Sequence, residues 1–272
     1  GTGGGAACLW DTTDETEPVM HVDYCDRLDH RHGIFSLAFS PDDSQLVLDG
    51  KQGELLAWDM RTKRLVSRPS KANRNKALSM SLSRRHHLLA VGYGFITDEP
   101  GCLRLWDLRG ETPVEAQVFE DVDWRCYGVD FSPDQQRLAC CYGADGTYRI
   151  KVINLESSEE VNLATNWTTT VKFTPHNDRI VCVAPSHQEI SFRDAVTGDL
   201  MGRFAVGEAI RKLEFIPGRN QFVTASSEGV VRIWSYTPFE DCPKTLEEAK
   251  EIINSREQVV LREAAKNEVL VN

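Results

Sequence analysis

An all-β chain built from repeated antiparallel sheets is predicted, on three observations. First, a Trp-Asp pair recurs, at Trp10-Asp11, Trp58-Asp59 and Trp106-Asp107, with weaker copies at Ile153-Asn154, Arg193-Asp194 and Trp234-Ser235. The steps between copies are 48, 48, 47, 40 and 41 residues. Second, a Phe series interleaves with the first, at Phe39, Phe131, Phe173 and Phe215, with Leu82 of MSLSRRHHLL in the remaining slot. Third, no long helical pattern separates the copies. Self-similarity at this period means stacked supersecondary units. Each unit of about 40–45 residues reads as four strands, and a radial array of such sheets is a β-propeller, which limits exposed edges.

One unit shows how the elements follow from the residues. IFSLAF alternates and reads as a strand. Ser40-Pro41-Asp42-Asp43 is a turn, with Pro setting φ and Asp bonding nearby backbone. QLVLDG is a second strand, ELLAW a third and KRLVSR a looser fourth. The same order places first strands near 34, 78, 126, 169 and 210. GGAACLWD is then the third strand of a blade whose first two strands lie upstream of residue 1. A competing expectation has PVMHV, Pro18 to Val22, as the missing outer strand of the last blade. FITDEPG, residues 95–101, is extra length between two strands and is expected in a loop.

These motifs, taken together over residues 5 to 237, resemble those of WD40-repeat proteins. The resemblance implies a WD40-type β-propeller of five blades plus a partial one, part of a seven-bladed ring and the C-terminal portion of a longer chain. The domain boundaries expected are 1–237 for the propeller and 238–272 for a C-terminal helical extension. The family's buried polar set of His, Ser/Thr, Trp and turn Asp is incomplete here. Its Gly-His pair is matched only by Asp29-His30, and the turn Asp slots hold Gln52 and Glu228 in two repeats. The extension rests on Thr245-x-x-Glu248, a capping box. Leu246, Ala249, Ile253, Val260 and Ala264 share one helical face from about 245 to 266. Such a helix docks on its own propeller or on a partner.

Composition bounds the function. The net charge is −10, which argues against a general nucleic-acid binder, since phosphate contacts need a basic face. No apolar run approaches the ~18 residues that span a bilayer, and no secretion signal is evident. The eight cysteines, at 8, 25, 102, 126, 140, 141, 182 and 242, show no C-x-x-C spacing. Most lie in apolar runs and read as buried thiols, with Cys140 and Cys141 on opposite faces of one strand. A cytoplasmic, intracellular protein is expected. Asn166-Trp167-Thr168 fits a glycosylation acceptor but has no secretion signal beside it.

Catalytic motifs are absent: no G-x-S-x-G, no phosphate loop followed by Lys-Ser/Thr, no H-E-x-x-H. His86-His87 point to opposite sides of a strand, and His30 matches a structural slot. No cofactor, no metal and no catalysis is expected; a propeller hydrolase is the remote alternative. What remains is surface, with proteins or peptides as partners, no nucleic acid and no membrane. Residues just before each first strand share one rim, which gathers Lys76, Trp124, Arg125 and Trp167, a hot-spot mix. Trp124 and Trp167 could instead pack between blades. The acidic balance favours partners of basic or mixed surface, through on-rate. A second surface signal is W-D-x-R, which supplies Arg61 and Arg109. Paired W-D-x-R resembles substrate receptors of cullin-type ubiquitin ligases. The leading expectation is a non-catalytic protein-interaction scaffold, the interaction module of a larger multidomain protein.

Overall fold

The computed structural model describes residues 6–9, 20–23, 34, 36–49, 55–67, 76–94, 101–110, 112–119, 125–144, 146–165, 167–184 and 188–236. Among these residues 21 strands form six antiparallel sheets, and no helix occurs. The first sheet pairs β1 (Ala6–Leu9) with β2 (Met20–Asp23). Four sheets have four strands each. One holds β3 (Leu37–Phe39), β4 (Gln45–Asp49), β5 (Leu55–Asp59) and β6 (Arg64–Ser67). The next holds β7 (Lys76–Ser83), β8 (Leu88–Gly94), β9 (Leu103–Asp107) and β10 (Val114–Phe119). It is followed by β11 (Arg125–Phe131), β12 (Arg137–Ala144), β13 (Thr147–Asn154) and β14 (Glu160–Thr165). The fourth comprises β15 (Thr170–Phe173), β16 (Arg179–Ala184), β17 (Glu189–Asp194) and β18 (Leu200–Ala205). The last has three strands, β19 (Ile210–Phe215), β20 (Gln221–Ser226) and β21 (Val231–Ser235).

Strands follow chain order within every sheet, and the first strands of successive sheets lie beside one another. This is a β-propeller of five blades, with a two-stranded sheet ahead of them. The five first strands begin within a few residues of their expected positions. The Pro18–Val22 alternative is overturned: Met20 pairs with Leu9, so β2 extends the sheet of β1 and not the last blade. Residues 237–272, and with them the expected helix from Thr245, lie outside the described residues, as do residues 95–100 of the FITDEPG loop, Gln52, His30 and His32.

The two sequence series meet on a common rung in each blade. Phe39 pairs with Leu46 and Leu46 with Trp58. The equivalent rungs are Leu82–Leu89–Trp106, Phe131–Leu138–Ile153, Phe173–Ile180–Arg193 and Phe215–Phe222–Trp234. Residues directly opposite in an antiparallel pair share a face, so each blade turns one such row toward a neighbour. The cores lie between blades. Cys140 packs in the cluster with Leu103 and Val129, while its neighbour Cys141 packs with Val171 and Cys182 on the other face. Both are buried and free, as expected of small apolar side chains, and burial pushes the Cys182 thiol up to about 12.

Turn chemistry repeats with the strands. The Ser40 hydroxyl donates to Asp42 at 2.6 Å and accepts the Gln45 N–H at 2.9 Å. Ser132, Asp134 and Arg137 repeat this set. Asp43, Gln135 and Asn177 take the left-handed conformation that closes these turns, with φ of 58°, 64° and 62°. Hydrogen bonds from Ser40 and Ser44 hold the Asp42 carboxyl at about 2. The Asp after Trp has a separate task. Asp59, Asp107 and Asp194 accept N–H groups two or three residues ahead, as does Asn154. Each is an Asx-turn joining the third strand to the fourth.

The incomplete polar set leaves a trace. The Trp234 indole N–H donates to Thr224 at 2.9 Å. Leu48 occupies the equivalent slot in the first blade, and the buried N–H of Trp58 has no acceptor. Trp234→Phe strands the buried Thr224 hydroxyl, whereas Trp58→Phe removes a donor that bonds nothing. Unfolding in urea should show the first substitution costing about 1–3 kcal/mol more than the second; equal losses would contradict this difference.

Candidate interaction surface

Alternation of strand direction sends the segments that enter each first strand to one end of the propeller, together with the turns between second and third strands. Lys76 and Arg125 sit there at equivalent rungs, opposite Gly94 and Gly143. Both are engaged with neighbouring groups. One rung later the register slips in three blades, skipping Leu78, Tyr127 and Arg211. A bulge re-aims the extra side chain, and all three of these residues line a central cavity of about 520 Å³ bordered by the first strands of all five blades.

An aromatic row runs outward from this cavity. The Tyr127 and Tyr148 ring centres lie 6.4 Å apart, and Tyr148 and Trp167 are spaced by the same 6.4 Å. Trp167 is 38% exposed, so it is not sealed between blades. Gly143 makes room for the row: a Cβ there would meet the Thr147 carbonyl oxygen at 2.4 Å and the Tyr148 ring at 2.6 Å. Burial raises the Tyr127 phenol above its ordinary value, and the adjoining Arg125 guanidinium opposes that rise. Trp124 lies outside the described residues. Of the residues expected on this rim, Lys76, Arg125 and Trp167 therefore fall at the same end. Tyr127, Tyr148 and Arg211 join them without having been read from the sequence.

Arg61 and Arg109 lie at the opposite end, in the turns after β5 and β9. Arg109 forks onto Asp107, with Nε 3.0 Å from each carboxylate oxygen, and hydrogen bonds from Arg109 depress the Asp107 carboxyl. At that end the blades are tied by side chains that cross from turn to turn. Arg84 pairs with Asp43 at 2.8 Å, and the His86 ring meets the Gln135 carbonyl oxygen at 2.8 Å. Arg137 donates to the carbonyls of Asn177 and Ala195 and covers the Phe173 ring. His86 and His87 thus belong to a structural belt.

Within the cavity, each first strand reaches for the next. The Ser79 and Ser81 hydroxyls accept the N–H groups of Val129 and Phe131 at 3.1 and 3.0 Å. Asp130 accepts the Phe173 N–H at 2.8 Å, and Lys172 lies 3.3 Å from Asp130 and 3.1 Å from Glu214. These carboxylates are committed to inter-blade contacts. Among the described residues no group of three or more His, Cys, Asp or Glu side chains could hold a metal ion, and no helix is long and apolar enough to cross a membrane.

Comparison with known proteins agrees with this architecture. The family model "WD domain, G-beta repeat" matches residues 118–150, which run from the end of β10 into β13. Striatin-4 of Homo sapiens is 28% identical over 244 residues, covering 78% of this chain and 32% of its own. The chain thus spans about a third of the length of that curated relative. Among solved structures, a chain in a mitotic checkpoint complex superposes with a TM-score of 0.67 at 16% identity, covering 84% of this chain and 67% of that one. The β-propeller domain of Myceliophteria_thermophila Cps50 (Swd1) gives 0.61 at 15% identity, with 78% and 68% covered.

Proposed function

We propose that this β-propeller, whose residues 118–150 match the WD-repeat family model, is a non-catalytic platform whose end bearing Lys76, Arg125, Tyr148 and Trp167 binds an extended segment of another protein. The observation that carries this reading is the partly exposed Trp167, set in a tilted row outward from Tyr148 and Tyr127 near the central cavity. Aromatic rings on rigid strands lose little entropy on binding and supply large contact area. Striatin-4 and a protein of a mitotic checkpoint complex, as similar proteins, are in keeping with a role in assemblies. Lys76, Arg125 and Arg211 lie at this end beside the aromatic rings. Partners of mixed surface, with a carboxylate near an apolar side chain, suit it.

The test is affinity selection of peptides from a random display library on the intact chain, followed by titration against variants. Trp167→Ala combined with Tyr148→Ala should weaken selected peptides by about 30-fold or more, as loss of a hot spot of about 2 kcal/mol does. Arg61→Ala and Arg109→Ala, at the opposite end, should leave affinity unchanged. Peptides that bind the double variant as tightly as the parent would place the interface elsewhere.

A further inference from the structure

The fourth blade breaks the repeat at one informative position. Where the first, second and fifth blades carry Trp58, Trp106 and Trp234, the fourth carries Arg193. Its guanidinium is placed where the other blades bury an indole. One terminal nitrogen donates to the Gly198 carbonyl at 3.0 Å, but the Nε–H is buried and has no acceptor. A cationic donor without a partner in a low-dielectric site is costly, because nothing replaces the water it lost.

The surroundings of Arg193 are polar. A cavity of about 320 Å³ opens between the third and fourth blades, lined by Arg193, Arg203, Ser191, Glu189, Thr165 and Thr168. Alternation along β17 puts Glu189, Ser191 and Arg193 on one face, and Arg203 on β18 is directly opposite Ser191. Thr165 and Thr168 come from the neighbouring blade, and their hydroxyls lie 3.3 Å apart. Arg203 stands at the mouth, its side chain 62% exposed, and reaches Glu189 only at 3.8 Å. Arg193 and Arg203 are the cations of this lining and Glu189 its carboxylate, and the hydroxyls of Ser191, Thr165 and Thr168 complete its polar groups.

We propose that this inter-blade cavity binds a phosphate group, free or carried as a monoester on a small molecule or side chain. Guanidinium forks match phosphate oxygens, and hydroxyls contributed by both blades suit a tetrahedral anion better than a planar carboxylate. The volume falls at the lower end of small-molecule sites, about 300–1,000 Å³, which leaves room for an esterified group beyond the phosphate itself. Arg193 at the base supplies the unsatisfied donor, and Arg203 at the mouth captures the ligand. The site adjoins the rim proposed for protein partners at Thr165 and Thr168, which flank Trp167, but Arg193 and Arg203 lie on the third and fourth strands of the blade, so the two readings are tested by different variants.

Calorimetric titration of the intact chain with inorganic phosphate, O-phosphoserine and acetate at constant ionic strength tests this. Binding of phosphate or O-phosphoserine, with acetate inert, is expected; tighter binding of O-phosphoserine marks the monoester as the ligand, and equal binding marks the free anion. Arg203→Gln, a surface change that should fold normally, is expected to weaken binding at least about tenfold. Arg193→Trp restores the residue of the other blades and should abolish binding. If Arg193→Trp fails to fold, Arg203→Gln still decides. No binding of either phosphate probe, equal binding of acetate, or affinity unchanged in Arg203→Gln overturns the proposal.

Discussion

Trp106→Ala is expected to destabilise the chain by about 3–5 kcal/mol, the usual cost of removing a large aromatic ring from a packed core. Trp106 is only 3% exposed and packs with Val47 and Ala57 of the first blade as well as Leu89 and Val91 of its own. Its loss therefore opens a void at an interface between two sheets, neither of which can collapse without losing register. The cost resides mainly in volume, because the one polar neighbour of the indole N–H is the buried Tyr93 hydroxyl. Trp106→Phe should accordingly recover most of the loss. Urea midpoints for the three proteins decide the matter. A loss below 1 kcal/mol for the Ala variant would mean that the blades slide together and that the repeat rung is not a rigid unit.

The rungs were legible in the sequence because two independent constraints mark them. Phe and Trp must sit on one face of the sheet, and Pro-Asp and Asp must close the turns on either side. A residue shift would bury a turn and expose a ring, so spacing alone determines register. Even the weak copies hold. Ile153 and Arg193 keep their places since Asn154 and Asp194 still form the Asx-turns. Pairing at the chain's start was less determined. Met20–Asp23 is a short strand that fits two edges equally well on pattern, and only three-dimensional proximity to β1 selects one.

The candidate site was legible in part. Counting back from the Phe slot brings Lys76, Arg125 and Trp167 to one end because the repeat is geometric. Tyr127 and Arg211 were missed since a bulge has no fixed spelling; it adds one residue and flips which side chain faces the cavity. Tyr148 was missed for another reason. It lies on a third strand, and only the glycine opposite, Gly143, leaves room for its ring. Glycine pairs across strands cannot be inferred from either strand alone. The polar ladder between the first strands had a signal that went unread: after Ala38 in the first blade, the residue before the Phe slot is Ser81, Asp130, Lys172 and Glu214 in succession, one hydroxyl followed by charges of alternating sign, unsuited to an apolar interface.

That ladder sets the second large effect. Lys172→Met is expected to cost about 3–5 kcal/mol near neutral pH, as removal of one partner from a buried pair does. Asp130 is only 14% exposed at its side chain, and Lys172 at 3.3 Å is the cation beside it. Burial lifts the Asp130 carboxyl from its ordinary 3.8 to about 6, against the pull of Lys172 and of the Phe173 N–H, while Glu214 adds to the rise. The folded chain therefore keeps a proton on Asp130 that the unfolded chain has released between pH 3.8 and about 6. Stability from this group is fullest below that window and declines as pH rises through it. Asp42 behaves oppositely, holding its contribution above 3.8 and losing it as pH falls toward 2. Without Lys172 the carboxylate is harder to ionise, so the variant should be most impaired at pH 8 and partly restored at pH 5. Glu214 is more than half exposed, and water screens its loss of the same partner. Adding Asp130→Asn removes the stranded charge while retaining an oxygen for the Phe173 N–H, and the double variant should be more stable than Lys172→Met alone at pH 8. Equal melting temperatures for Lys172→Met at both pH values, or a double variant that loses the sum of the two single changes, would show that Lys172 contributes by packing its stem between blades and not by balancing Asp130.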